Sequence, residues 1–216
     1  MLRFHARDNT KPTIDDARVR IAQFNKENEQ VEWLLTELFT KYPNNTNFNE
    51  VFLKTTVLNL LYTTNILAVN TVAQHIVGLS SLDTLLADGS PEAVRLIANV
   101  SINGKKFCFY SFATKYCSWH NQSGYPIFDR NVCACLRFYQ KQDQFVKKFA
   151  LDDLWYYRVF SDVLTKFRMR YGLEELNFKE LDKFLYQHGA ELLSQSGQNV
   201  ESEIAAISNE PMPNEM

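Results

Sequence analysis

The sequence predicts an all-α protein, and three observations carry that prediction. Apolar residues recur at helical spacing in segment after segment. Only 7 Gly and 6 Pro interrupt 216 residues. No strand-length apolar alternation bounded by hairpin turns stands out. With 45% hydrophobic and 13% aromatic residues, a chain of this length buries a sizeable core. Residues 1–195 therefore read as one helical domain, either undivided or with two lobes around a cleft. Residues 196–216, rich in Ser, Gln, Asn, Glu and Pro, read as an acidic tail without fixed structure.

The helices follow in order. Thr13 is a suitable N-cap for an amphipathic helix from Ile14 to Asn25, and Val31, Leu34, Leu35, Leu38 and Phe39 form a second stripe that stops at Pro43. Asn49 to Asn65 is apolar on nearly all sides and so predicts a central helix, followed by another from Ala68 to Leu79. Ser81 to Leu86 reads as a short helix or turn. Ser90-Pro-Glu-Ala then opens a helix running to about Val100, with Ser as N-cap and Pro at the first helical position. After the Asn103-Gly104 turn, Lys105-Lys106 start an aromatic helix carrying Phe107, Phe109, Tyr110, Phe112, Tyr116 and Trp119. The next helix runs from Ile127 or Asp129 to about Gln142. Leu154 to Tyr171 is ended by Gly172 as a C-cap, and Phe178 to Leu193 is the last helix.

The net charge of −2 hides an uneven distribution. Residues 101–172 carry twelve Lys/Arg against five Asp/Glu, and 173–216 carry two against nine. A basic middle of this kind suits a nucleic-acid partner, with Lys105, Lys106, Arg130, Arg137, Lys141, Lys147 and Lys148 as the set to contact phosphates. Cys108, Cys117, Cys133 and Cys135 cluster in one stretch. Cys117-x-x-His120 invites a metal reading, but residues two apart on a helix diverge by about 200°, so Cys133 and Cys135 do not share one ion. Free buried thiols, an amino terminus without an apolar leader core, and apolar runs too short for a membrane span predict a cytoplasmic protein.

The chemistry concentrates in Tyr110-Ser-Phe-Ala-Thr-Lys-Tyr-Cys-Ser-Trp-His120 and Tyr125-Pro-Ile-Phe-Asp-Arg-Asn-Val132. Lys115 shares a helix face with Phe112 and Trp119. An amine held among rings loses solvation, which favours its neutral, nucleophilic form. Asp129 stands at the mouth of the next helix, as an N-cap does. Tyr110, Phe112, Trp119, His120 and Asn121 are candidates for the walls and polar edges of a pocket.

These residues resemble the helix-hairpin-helix DNA glycosylases, the superfamily of endonuclease III and 8-oxoguanine DNA glycosylase, and especially a bacterial branch with a similar Ser-Phe-Ala-Thr-Lys-Tyr-Cys stretch. Pro126-Ile-Phe-Asp-Arg-Asn-Val132 is similar to the superfamily segment that bears its catalytic Asp. Ala113-Thr-Lys115 is similar to the Gly-Thr-Lys of the 8-oxoguanine enzymes. The resemblance implies the two-lobed glycosylase fold, Lys115 as nucleophile, Asp129 as its electrostatic partner, a flipped base and no cofactor. Leu60-Leu-Tyr-Thr-Thr-Asn-Ile-Leu-Ala-Val-Asn70 is similar to the family's DNA-facing helix and loop, which implies Thr63 and Asn65 near the extruded base. The family's Gly-rich hairpin is reduced here to Asn103 and Gly104. That keeps Lys106 as an alternative nucleophile, and Lys105 and Arg130 as further DNA-facing residues. Two other classes follow from the same residues. One is a non-catalytic DNA-binding or protein-interaction module in repair or phage defence, and the other is a metal enzyme using Cys117 and His120.

Overall fold

A computed structural model describes residues 11–147 and 152–195. The expected tail at 196–216 and Lys148 lie outside the described residues. The described residues are mostly helical, as the apolar spacing predicts. In chain order they form α1 (Ile14–Glu27), α2 (Glu29–Lys41), α3 (Phe48–Leu61), α4 (Val69–Val77), α5 (Leu82–Ala87) and α6 (Pro91–Ala98). A hairpin of β1 (Asn99–Ile102) and β2 (Lys105–Cys108) follows, and then α7 (Tyr110–His120), α8 (Arg130–Asp143), a 3-10 turn (Asp152–Trp155), α9 (Tyr157–Tyr171) and α10 (Phe178–Gln195). The predicted caps are in place. Thr13 accepts the Asp16 N–H at 3.2 Å, Ser90 caps α6 with Pro91 in its first turn, and Gly172 ends α9 at φ 65°.

One expectation is corrected. Lys105 and Lys106 do not open the aromatic helix; they belong to β2, which pairs antiparallel with β1 in the register Val100↔Phe107, Ser101↔Lys106 and Ile102↔Lys105. Asn103 and Gly104 take φ 51° and 78°, the left-handed pair that a tight two-residue hairpin turn requires and that Asn-Gly supplies at low cost. Phe109 then donates its N–H to Ala98 O at 2.8 Å. That bond closes the ribbon at its base and lets the helix begin only at Tyr110.

The described residues divide into two compact units, one containing residues 11–28 with those described from 128 to 195, and the other containing residues 29–127. In the first, α10 packs against both α1 and α8. Gly189 sets the α8–α10 contact, because a Cβ built there meets Asn131 O at 2.0 Å. Beside it Arg20 donates to both oxygens of Asp16 at 3.1 and 3.2 Å and pairs with Glu191. The His188 imidazole stands 2.8 Å from the Tyr139 hydroxyl. Burial, reinforced by Arg20, holds His188 below its ordinary pKa. Leu136, Cys135, Phe160, Phe167, Phe184 and Leu185 are fully buried in this unit.

The second unit is built around α7. Helices α2, α3, α5 and α6 all pack on it, while α4 and α6 support β1. Every α7 residue from Phe112 to Trp119 is buried. That follows from a segment that, Lys115 apart, is aromatic, apolar or small on all sides, since such a helix has no face to give to water.

Gly189→Ala should destabilise the protein by about 3 kcal/mol or more, because the added methyl meets backbone that cannot yield. Gly172→Ala, with nothing within 4 Å of the new Cβ, should lose only the left-handed penalty of about 1–2 kcal/mol. Urea unfolding of the two variants measures the difference, and similar losses would show that the α8–α10 contact is not as close as described.

Candidate functional site

The most unusual group in the α7-centred unit is one that the sequence reading passed over. Lys54 lies on the α3 face formed by Val51, Thr55 and Leu58, and is fully buried. Its ammonium donates to Tyr42 O at 3.0 Å, Asn44 O at 2.9 Å and Asn45 Oδ1 at 2.8 Å, and stands 3.3 Å from His120 Nε2. It also lies 5.5 and 5.6 Å from the Phe39 and Tyr116 ring centres. Asn45 relays the charge. Its Oδ1 accepts a second bond from the Tyr116 hydroxyl at 2.5 Å, and its amide donates to Asp83 Oδ1 at 2.6 Å. One cation thus joins α3, the loop after α2, α5 and α7.

The cluster sets the protonation of its members. Burial moves the Lys54 amine down to about 8, partly opposed by Asp83 and Glu50. Burial and the neighbouring Lys54 charge push His120 to about 3, so the ring is neutral. Its Nε2, facing an ammonium, is the unprotonated nitrogen. His120 is therefore a half-buried ring bonded within the cluster, although it ends α7. The same contact opposes the metal reading, because the ring nitrogen that a metal would need already accepts from a cation. Cys117 is fully buried, with its thiol pushed well above the ordinary range. None of the four cysteines is in a disulfide. Among the described residues no three His, Cys, Asp or Glu side chains converge as metal ligands would.

One face of α7 carries the chemistry the sequence singled out. Lys115 is 3% exposed. Its Nζ donates to Ser111 Oγ at 2.7 Å, one turn earlier, and lies 5.4 Å from the Tyr62 ring centre. Trp119, one turn later, donates its indole N–H to the Tyr62 hydroxyl at 3.0 Å. Tyr62 caps α3 and begins the loop that holds Thr63 and Asn65. Both are exposed and left-handed, at φ 50° and 57°, and a β-branched residue such as Thr63 adopts that region only under strain. Asn59 supports the loop with bonds to Ile66 O at 3.0 Å, Ile66 N–H at 2.9 Å and the Thr64 hydroxyl at 2.8 Å.

The remaining candidates are placed more plainly. Tyr110 and Phe112 are buried core residues. Asn121 staples a loop: its amide donates to Leu86 O at 3.1 Å and Ala87 O at 3.2 Å, and its Oδ1 accepts from Gly124 at 2.9 Å. Asn103, Gly104, Lys105 and Lys106 are exposed on the hairpin. Asp129 is the N-cap of α8 and accepts the Asn131 N–H at 2.9 Å. Arg130 and Arg137 are half-buried on α8, with Lys141 and Lys147 exposed beyond them. Lys115 belongs to one compact unit and Asp129 to the other, so neither unit holds the pair by itself. The basic middle of the sequence is likewise shared between the units. Some of its charge is spent internally, as where Lys166 pairs with Asp162 at 2.6 Å and Arg168 donates to Leu176 O at 2.8 Å.

Residues 14–124 match the family model described as HI_0787_N, N-terminal domain. The chain belongs to that family. The matched stretch takes in α1 and everything from α2 through α7, including Lys54, Lys115, His120 and the hairpin. An uncharacterized protein of Haemophilus influenzae (strain ATCC 51907 / DSM 11121 / KW20 / Rd) is 44% identical over 138 residues, which are 64% of this chain and 65% of that relative. The chain thus matches just under two thirds of the curated relative's length. No solved structure matches. Among the described residues no helix is long and apolar enough to cross a membrane.

Lys54→Met should cost about 3 kcal/mol at pH 7, because it leaves Tyr42 O, Asn44 O and Asn45 Oδ1 short of a donor. Unfolding in urea measures this, and a loss under about 1 kcal/mol would mean that water or a neighbour replaces the amine.

The pH dependence has two signs. For Lys54 the folded pKa lies below the free value, so the unfolded chain holds more protons and stability should rise with pH from about 8 to 9.5, before the raised tyrosines oppose it. Lys54→Met should flatten that rise. For His120 and His188 the neutral form is favoured by the fold, so stability is complete above about 6.5 and falls as the pH drops from there towards 3. His120→Gln should weaken that acid loss, as thermal unfolding between pH 7 and 4 would show; an unchanged acid limb would place the loss elsewhere.

Proposed function

We propose that the protein is a DNA glycosylase-like enzyme that excises a modified or damaged base flipped out of the stack. Burial of the Lys115 amine, between Ser111 and the ring of Tyr62, is the observation that carries this reading. Lys115 is almost wholly enclosed, with Ser111 and the ring of Tyr62 among its neighbours, and an enclosed lysine amine is a group that enzymes use for covalent attack on carbon. In the proposed reaction its nitrogen bonds to the sugar C1′ as the bond from C1′ to the base breaks, and the base leaves with a proton. The resemblance to the glycosylases gives the Asp129 carboxylate the role of stabilising the positive charge that builds on the sugar ring. Opening of the sugar gives an imine to Lys115. Tyr62 lies against the amine and begins the strained Thr63–Asn65 loop, which in this scheme is the element that moves to admit the nucleotide. No metal or organic cofactor enters the scheme.

A second reading, a non-catalytic DNA-binding or protein-interaction module in repair or phage defence, is favoured by a specific observation. Lys115 and Asp129 each already have partners inside their own unit, Ser111 for the amine and the Asn131 N–H for the carboxylate.

Borohydride trapping on oxidised, abasic and phage-modified DNA decides between them. The enzyme reading expects a covalent adduct that Lys115→Ala abolishes and Lys106→Ala leaves intact, with circular dichroism confirming that both variants fold. Asn caps a helix as well as Asp does. Asp129→Asn should therefore keep α8 and slow base release about 10²–10³-fold. Loss of the adduct with Lys106→Ala instead moves the nucleophile to β2. Salt-sensitive DNA binding with neither adduct nor released base selects the non-catalytic module.

A further inference from the structure

We infer that the β1–β2 hairpin is a DNA-binding ribbon that enters the major groove of a duplex, with Lys105 and Lys106 on phosphates and Phe107 against the sugars and base edges. The inference rests on the DNA reading above and assigns the surface that would meet the duplex. Three features of the hairpin point to it.

The first is mechanical. Val100 is 2% exposed, α4 and α6 support β1, and the bond from the Phe109 N–H to Ala98 O closes the base. The ribbon is therefore held firmly at one end. Ser101, Asn103, Gly104, Lys105, Lys106 and Phe107 are all exposed. An open edge left to water on a short strand is ordinary. A large aromatic beside two lysines is less so: Phe107 remains 40% exposed although its ring lies parallel to Phe109, with centres 6.0 Å apart and planes 4° apart.

The second is the division of the faces. The register places Val100, Ile102, Lys105 and Phe107 on one face and Asn99, Ser101, Lys106 and Cys108 on the other. Lysines therefore project from both sides of the ribbon near its tip, as an element lying between two phosphate chains needs. A two-stranded ribbon is also a shape that the major groove of B-form DNA admits.

The third is electrostatic. Residues 51–82 and 93–127 contain no Asp or Glu. These stretches supply most of α3, all of α4, the hairpin and α7. On α6 the single acid, Glu92, is bound by Arg95. Among the described residues neither Lys105 nor Lys106 pairs with a carboxylate. In these stretches Lys54 and Lys115 are buried and Arg95 holds Glu92, so Lys105 and Lys106 concentrate the exposed positive charge at the ribbon tip, while the chain as a whole carries −2. A localised field of this kind attracts a polyanion where whole-chain charge would not.

The test is fluorescence anisotropy of the full chain on a short mixed-sequence DNA duplex, with salt varied from about 50 to 200 mM. Lys105→Ala/Lys106→Ala should lower the slope of log affinity against log salt by about 1.8, so that its loss of affinity is about tenfold greater at 50 mM than at 200 mM. Phe107→Ala should weaken binding and leave the slope unchanged. Lys41→Ala, an exposed lysine on α2 of the same unit, should change neither. Wild-type slope and affinity in the hairpin variants would overturn the ribbon and leave the DNA reading standing. A wild-type protein without salt-dependent duplex binding overturns both. Better competition by duplex RNA than by the same DNA would also overturn the groove assignment, because the A-form major groove is too narrow for a ribbon.

Discussion

A buried ammonium organises the α7-centred unit. Lys54 is shut away from bulk solvent, so its charge is met by acceptors arranged in advance, and these tie the surrounding elements together. Two acceptors are backbone carbonyls of the loop after α2, which otherwise has no reason to turn inward at Pro43. A third is the Asn45 side chain, held by Tyr116 and Asp83. A neutral His120 completes the shell. Removing the cation would strand several acceptors at once, whereas an apolar residue in its place would need a different loop. The cluster therefore specifies one packing of α2, α3, α5 and α7 more than it adds net stability.

That specification reaches the proposed chemistry through α7. Tyr116 and His120 share one face of the helix and are bound into the Lys54 cluster. Ser111, Lys115 and Trp119 lie on the adjacent face and meet Tyr62. Because the helix is buried along nearly its whole length, its rotation and height are set by the first face and inherited by the second. The Lys115 amine is thus placed by contacts it does not itself make. The loop beyond Tyr62 is built differently, with two left-handed residues and the Asn59 side chain supporting it. A segment that stores backbone strain next to a rigid helix can change shape without disturbing that helix.

Helix existence was readable in the linear pattern because the helical period repeats over ten or more residues. Thr13, Ser90 and Gly172 mark ends whose local chemistry is self-contained. The hairpin was not readable in the same way. Each strand is four residues long, and Phe107 runs on into the aromatic spacing of Phe109 and Tyr110, so a helix could be drawn through Lys105 and Lys106. The Asn103-Gly104 turn was visible, but its consequence depends on pairing between segments, which no local period reports. Lys54 was legible in retrospect. It interrupts the Val51, Thr55 and Leu58 face at a position where a solvated lysine has no place, yet nothing in the order of residues names Asn45, Asp83 or His120 as the groups that make the burial tolerable.

The sequence by itself determined the helical class, most helix limits, the left-handed turn residues, and the presence of a lysine and an aspartate at two helix segments that resemble a glycosylase site. Those properties arise from side-chain period and local backbone preference, which act over a few residues. Only the tertiary structure decided that Lys54 is buried among Tyr42, Asn44 and Asn45, that His120 is neutral beside that ammonium, that Lys106 is exposed on a strand, and that Lys115 rests on Ser111 and Tyr62. Each of these turns on which distant groups replace water around a polar atom, and that replacement is settled when the helices pack.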